Sequence, residues 1–553
     1  MTGVTTLANP HFSDLPKTLG HTLPKVIAHV AVRHGDTPFI MGEDGTRISF
    51  AQFKDRVDDL ARALIAHGVA YEDRVAIWAP NSPEWIIAAS AAESVGAIMV
   101  PINTRFKGHE ALYILAKTRA KILFTVTEFL GNDYAAMLTQ AGGGPGSAGP
   151  VHDLPSLSHI VALDGPAFDM FQRVQADEAE LTARMAAVTP QTIADILFTS
   201  GTTGQPKGAT HNHGQALWVP AIWNESNDLR AGDRMAIVNP FFHSFGYRSG
   251  WISALVAGIT VYPLATFDAE ALLALIEREK ISVLMGPPTI FLSLMDHPRF
   301  GAFDISSLRV GHTGASNVPV DLIRAGREIF GFDLFLTSFG QTECTALATV
   351  NYPDASFETI ARTVGKPLPG VELRIVDADG NPLPAGESGE LLIRGPVVMQ
   401  GYFEEPEQTA ATIDADGWLH SGDVGCIEQD GTLRILDRLK DIVIVGGFNA
   451  YPAEVENILR KHPAIADVCI IGWPDDRMGE VCAACVILKD GETLTLTELT
   501  AWSREQMANY KVPRHLFLMD DFPRTPLGKI QKFLLRDRTK AQADSQGSAG
   551  GKG

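Results

Sequence analysis

Short apolar runs alternate with helix-patterned stretches along most of the first 340 residues, and that alternation limits the fold most strongly. Arg74–Trp78 and residues 122–126, 193–198, 235–239, 282–285 and 333–337 each read as a strand, while 83–96 and the other intervening stretches read as helices. Parallel neighbours need a long crossover, usually helical, so this order predicts βαβ units around mostly parallel sheets. A chain of 553 residues is too long for one core and predicts several domains.

From Val371 the texture changes. Short strands alternate with Gly, Pro and Asp turns as far as Leu436, which predicts a small antiparallel β-barrel. The charged junction Asp437-Arg438-Leu439-Lys440-Asp441 follows. Beyond it a new α+β unit begins, with a strand at 442–445, a Gly446-Gly447 turn and a helix from Pro452. Pro near that helix's start and acids in its first turns suit a helix N-terminus. The expected domains are 1–437 and 438–540, with a polar, Gly/Ser-rich and disordered tail at 541–553. The low-complexity stretch 141–150 reads as a surface loop.

The strand at 193–198 runs into Thr199-Ser200-Gly201-Thr202-Thr203-Gly204-Gln205-Pro206-Lys207-Gly208. Its glycines let amide N–H groups close around an anion. Hydroxyls on Thr199, Ser200, Thr202 and Thr203 can donate to phosphate oxygens, and Lys207 adds a positive charge. This is the composition of a polyphosphate loop. It fails the Walker A pattern, because the Gly201–Gly204 spacing is short and Lys207 precedes Gly208, so a P-loop ATPase is disfavoured.

A net charge of −19 argues against nucleic acid as a partner. An enzyme of ATP and a carboxylate would then need its few cations concentrated at the site. No basic-then-apolar leader opens the chain, and Glu93 and Pro263 interrupt its most apolar stretches, so a soluble cytoplasmic protein is expected. Cys482 and Cys485 form a lone C-x-x-C within a mostly apolar strand pattern, so the five cysteines read as buried thiols of a reducing compartment.

The loop 199–208 resembles the signature of the adenylate-forming superfamily, which includes acyl-CoA synthetases, luciferases and peptide-synthetase adenylation domains. Its partners follow in that family's order over residues 25–538. Ser338-Phe339-Gly340-Gln341-Thr342-Glu343 is similar to the aromatic-Gly-x-Thr-Glu motif, Trp418 to Asp423 to the motif ending in Gly-Asp, and Pro523 to Lys529 to the C-terminal Gly-Lys motif. The resemblance implies a large N-terminal domain of α/β subdomains plus a barrel, and a small mobile α+β C-terminal domain.

The same resemblance implies the roles of particular residues. Thr199, Ser200, Gly201, Thr202, Thr203, Gly204 and Lys207 would hold the ATP phosphates, and Gly314, Ala315 and Ser316 would run between adenine and acyl pocket. Ser338, Phe339 and Gly340 would border the adenine, Thr342 would bond the α-phosphate, and Glu343 with Thr203 would hold Mg²⁺. Asp423 and Arg438 would bind the ribose side, Lys440 would be the hinge, and Lys529 the catalytic lysine. His243 would line the acyl pocket and gate pantetheine, beside Gly446 and Gly447 at the coenzyme A tunnel. Arg248 reads as facing an oxygenated substrate, or as a solvated or ion-paired arginine.

The implied reaction joins a carboxylic acid to coenzyme A through an acyl-adenylate, releasing pyrophosphate and AMP. NPFFHSFGY, GPPTIFLSLMDHP and GGFNAYPAEVE are similar to CoA ligases of steroid-ring catabolism, which implies a polycyclic keto-propanoate substrate. A fatty acyl-CoA ligase and an acyl-AMP ligase that loads a carrier protein remain alternatives, and the oligomeric state stays open, a homodimer included.

Overall fold

A computed structural model describes residues 21–145, 150–199, 206–314, 318–445, 448–475, 477–524 and 530–549. Among these residues the strands form four sheets.

The first sheet runs Gly401–Tyr402, Lys207–Asn212, Ile193–Thr199, Ile98–Pro101, Arg74–Trp78, Ile122–Thr125 and His159–Ala162. Its strands pair in parallel from Ile193–Thr199 to His159–Ala162, in the register Val75↔Met99 and Ala76↔Leu123. The second sheet has Leu334–Phe339, Val310–Thr313, Val283–Gly286, Arg234–Ile237, Thr260–Pro263 and Pro38–Met41 as its parallel body. Every strand expected from the apolar runs is present. The run 333–337 extends to Phe339, which carries the chain further toward the site.

Helices between the sheets are apolar all round. In Pro83–Ser94 every residue from Trp85 onward is buried, including Glu93, and in His213–Ser226 all but one residue is buried. Such helices belong in a core rather than on a surface. One continuous apolar cluster joins residues of both large sheets and these helices.

The antiparallel strands expected after Val371 are Glu372–Val376, Ser388–Arg394, Leu419–Ile427 and Leu433–Arg438. They bond in one path in that order, and the described residues show no ladder that closes them into the expected barrel. The fourth sheet contains Phe448–Ala450, Val443–Val445, Gly479–Leu488 and Ile465–Asp475, with His515–Leu518 parallel to Gly479–Leu488. It has apolar clusters of its own, the mark of a separate unit. The last helix, Lys532–Ala549, carries regular structure nine residues into the stretch expected to be a disordered tail. It is anchored by Leu535 and Thr539, both fully buried, and contains several strong helix formers.

Candidate active site

The stretch read above as a polyphosphate loop lies between two antiparallel strands. Ile193–Thr199 leads in, Lys207–Asn212 leads out, and Thr199 pairs directly with Lys207. Residues Ser200, Gly201, Thr202, Thr203 and Gly204 lie outside the described residues. On the outgoing side, Gly401–Tyr402 pairs with Thr210 and Ala209. The Lys207 ammonium lies 5.2 Å from the Tyr402 ring centre and donates to Gln408 Oε1 at 2.7 Å. The Tyr402 hydroxyl in turn donates to Glu343 Oε1 at 2.9 Å. Lys207 and Glu343, 136 residues apart in sequence, therefore meet at one tyrosine.

Thr342 and Glu343 stand on a single 3₁₀ turn, Thr342–Cys344, just beyond the strand Leu334–Phe339. Gly340 makes that turn possible, since a Cβ there would lie 1.9 Å from the Ala346 carbonyl oxygen. Thr345 and Ala346 both take positive φ, 52° and 81°, which non-glycine residues adopt only where the surroundings enforce it. Ser338 and Phe339 are half-buried at the carboxyl end of the strand. Gly314 follows the neighbouring parallel strand Val310–Thr313, at the carboxyl end where open α/β sheets take their ligands. Ala315 and Ser316 lie outside the described residues.

Asp423 and Arg438 are cross-strand partners, with Arg438 Nε 2.8 Å from Asp423 Oδ1. The backbone N–H of Asp423 donates to Ser421 Oγ at 3.1 Å. One residue before Arg438, the carboxylate of Asp437 accepts from the Ala453 amide at 2.8 Å, so a residue of the junction caps the helix Pro452–Leu459 beyond it. Lys440 is exposed on the one-turn helix Leu439–Asp441. Gly446, Gly447 and Lys529 lie outside the described residues, whereas Lys532 contacts Glu456 Oε1 at 3.1 Å.

His243 opens a short helical turn by accepting from the Phe245 amide at Nδ1. A ring that accepts there is neutral, and burial pushes its pKa down to about 4. The π-helix Tyr247–Ile252 follows directly. Of the readings of Arg248, the ion pair holds: the fully buried guanidinium binds Asp195. The Tyr247 hydroxyl donates to Glu93 and lies 3.3 Å from Asp195. Burial, then the nearby Asp195 charge, raises Glu93 to about 8.

Three residues of this region were given no role by their sequence: Tyr402 and His211 stand outside the motifs, and His312 lies within the segment 311–316 without one. Tyr402 links Lys207 to Glu343. His312 lies between Asn227 Oδ1, 2.8 Å from its Nδ1, and Ser338 Oγ, 2.9 Å from its Nε2. Asn227 spends its amide hydrogens on Trp223 O and Ser226 Oγ, so His312 donates to it and accepts from Ser338. His211 connects Asp195 to the Thr342 carbonyl.

The donor set suits a hard dication that is completed by its substrate. The described residues contain no cluster of three His, Cys, Asp or Glu side chains, so no all-protein cage is built. Glu343 offers a single half-buried carboxylate beside the polyphosphate hairpin. Mg²⁺ is commonly held in this way, by one or two carboxylates plus substrate phosphates.

The AMP-binding enzyme pattern matches residues 27–403, and the AMP-binding enzyme C-terminal domain matches residues 454–529. The chain belongs to the AMP-binding enzyme family. AMP-binding enzymes similar to it include a (7a-methyl-1,5-dioxo-octahydro-1H-inden-4-yl)propanoyl:CoA ligase of Rhodococcus jostii, 42% identical over 94% of this chain and 99% of the relative. The ligase of the same name from Mycobacterium tuberculosis is 43% identical over 93% and 98%. The mitochondrial medium-chain acyl-CoA ligase of Homo sapiens is 33% identical over 94% of this chain and 87% of that protein. Among solved AMP-binding folds, an anthranilate CoA ligase in complex with anthranoyl-AMP superposes with a TM-score of 0.84 at 28% identity, covering 95% of this chain and 98% of that one. No described helix is long and apolar enough to cross a membrane.

Proposed function

We propose that this AMP-binding enzyme is an ATP-dependent acid:CoA ligase whose acid is a fused-ring keto-propanoate from steroid breakdown. The observation that carries the ligase reading is the meeting of the loop hairpin, through Lys207 and Tyr402, with the Thr342–Glu343 turn. The identity of 42–43% to the ligases of the indenyl-propanoate, against 33% to the medium-chain enzyme, favours the ring substrate.

In this reading the substrate carboxylate attacks the α-phosphate of ATP, the C–O–P bond forms, and pyrophosphate leaves with the electron pair of the broken P–O bond. Two anions meet, so electrostatic stabilisation is the main requirement. Lys529 approaches the reacting oxygens, Lys207 takes the β- and γ-phosphate side, and Thr342 bonds the α-phosphate. Bound at Glu343 and Thr203, Mg²⁺ would neutralise phosphate charge. Asp423 and Arg438 hold the ribose side. The unit after the junction then turns about Lys440 and brings Gly446 and Gly447 to the site. The coenzyme A thiol, led past His243, attacks the acyl carbonyl and displaces AMP. The neutral state of His243 suits a gate beside a thiol and a carbonyl, since it adds no charge. The chain is placed in the cytoplasm, where coenzyme A and ATP are supplied.

A pyrophosphate-release screen over fused-ring keto acids, aryl acids and fatty acids tests the substrate, with coenzyme A present and absent. Fused-ring acids turning over fastest and yielding the thioester support the proposal. A preference for medium-chain fatty acids overturns the substrate, and acyl-AMP that stalls despite coenzyme A overturns the ligase reading in favour of carrier loading.

A further inference from the structure

His211 leaves the polyphosphate hairpin on the strand Lys207–Asn212, and its side chain is fully buried. Nδ1 lies 2.9 Å from Asp195 Oδ1 and Nε2 lies 2.8 Å from the Thr342 carbonyl oxygen. A carboxylate and a peptide carbonyl are both acceptors, so the buried ring is spanned between an acceptor at each nitrogen. The other buried histidines of the region differ: His213 accepts from the Leu23 amide, His243 from the Phe245 amide, and His312 from Ser338.

Asp195 in turn is held by Arg248 and by Tyr247, whose hydroxyl reaches Glu93, and all of these side chains are fully buried. A single chain of hydrogen bonds thus starts beside the His243 segment and ends on the carbonyl between Thr342 and Glu343. The peptide unit is planar, so fixing the carbonyl of Thr342 fixes the plane from which the Glu343 backbone departs. Both contacts are buried, where a hydrogen bond is electrostatically stronger than in water, which makes this a firm anchor.

We propose that His211 is a positioning residue for adenylation, which sets the Thr342–Glu343 turn through its bond to the Thr342 carbonyl. The proposal rests on the ligase reading for the identity of the reaction, but not for its test. In His211→Asn the amide nitrogen takes the place of Nδ1, so the Asp195 contact stays and the Thr342 contact is lost. In His211→Gln the amide nitrogen reaches the place of Nε2 and can still donate to Thr342.

The experiment measures MgATP binding by calorimetry, which needs no acid, and acid-dependent pyrophosphate exchange as a function of ATP, Mg²⁺ and acid. His211→Asn is expected to weaken MgATP binding and to lower kcat/KM for ATP by about 10-fold or more, the scale set by outer-shell partners of metal sites. It should also raise the Mg²⁺ concentration needed for half the maximal rate, with the KM for the acid left nearly unchanged. His211→Gln should recover most of the loss. Equal losses in the two variants overturn the proposal, as does a lowered melting temperature with unchanged MgATP binding and exchange. A change confined to the acid KM overturns it too. Wild-type protein that binds MgATP without acid-dependent exchange strikes at the ligase reading alone, and the Asn–Gln difference in binding still decides the role of His211.

Discussion

Glu93 is a fully buried carboxylic acid. Its pKa rises from 4.5 in the unfolded chain to about 8 in the fold, chiefly through burial. Between those values the folded form holds a proton that the unfolded form has released, so stability falls as pH climbs from 4.5 to 8 and stays low above it. Glu93→Gln keeps the shape of the protonated acid and removes the titration. Thermal melts at pH 5 and pH 9 should show the variant gaining on the wild type at the higher pH, by on the order of a few kcal/mol. An equal difference at both pH values would leave the shift unsupported. Lys529 supplies the second prediction at this scale. If it neutralises charge only where carboxylate meets phosphate, Lys529→Ala should lower acid-dependent pyrophosphate exchange by about 10²-fold or more, the scale of one lost electrostatic donor. Thioester formation from preformed acyl-adenylate should be largely spared. Equal loss in both half-reactions would argue against the assignment.

The turn from Gly340 to Ala346 is the element on which most of the site depends. A methyl at residue 340 would meet the Ala346 carbonyl oxygen at 1.9 Å, backbone against backbone, with no flexible side chain to yield. Gly340→Ala is therefore expected to cost about 1–3 kcal/mol or more of stability. The folded fraction should lose about 10²-fold in adenylation, because Thr342 and Glu343 move with the turn. Denaturant melts and single-turnover adenylation measure the two effects separately. Elements of this kind were legible in the sequence where the signal is local: apolar runs marked the strands, and the order of motifs pointed to the family. Lys207 looked like a loop residue, because the polar Lys207–Asn212 has no alternation to announce a strand. Tyr402 and His211 were invisible for another reason. Their value comes from partners 59 and 131 residues away, and no spacing rule reaches so far. Arg248 could be read as ion-paired, but only the fold identifies Asp195, 53 residues earlier, as its partner. The antiparallel strands after Val371 were legible from their turn residues, but which of their edges meet was not, because turn-rich antiparallel strands look the same in sequence either way.

At the scale of the whole molecule, buried histidines set the acid limit of stability. His213 and His312 are fully buried, and burial lowers them from 6.5 to about 4 and about 3. Each already accepts a hydrogen bond that a second ring proton would displace. The unfolded chain takes up protons that the fold refuses, so stability is full above pH 6.5 and is lost as pH falls, by about 1.4 kcal/mol per pH unit for each ring. Set against Glu93, whose contribution falls as pH climbs, these rings, whose contribution falls as pH drops below 6.5, give stability a dome with an acid and an alkaline side. Melting temperatures across pH 4.5–9 should trace that dome, with Glu93→Gln lifting only its alkaline side; a wild-type curve that is flat below pH 6.5 would contradict it. The thiols carry a different consequence. All five cysteines are free and buried. Cys344 lies two residues from Thr342, yet burial raises it to about 12, and its sulfur is tied to the Gln341 amide and carbonyl. Cys482 and Cys485 are also raised to about 12. A protein that prepares an activated acyl group risks acylating itself, and thiolates are the side chains most apt to do so. Here the sulfurs are buried and out of reach, so the one thiol that can collect the acyl group is the one that arrives from outside.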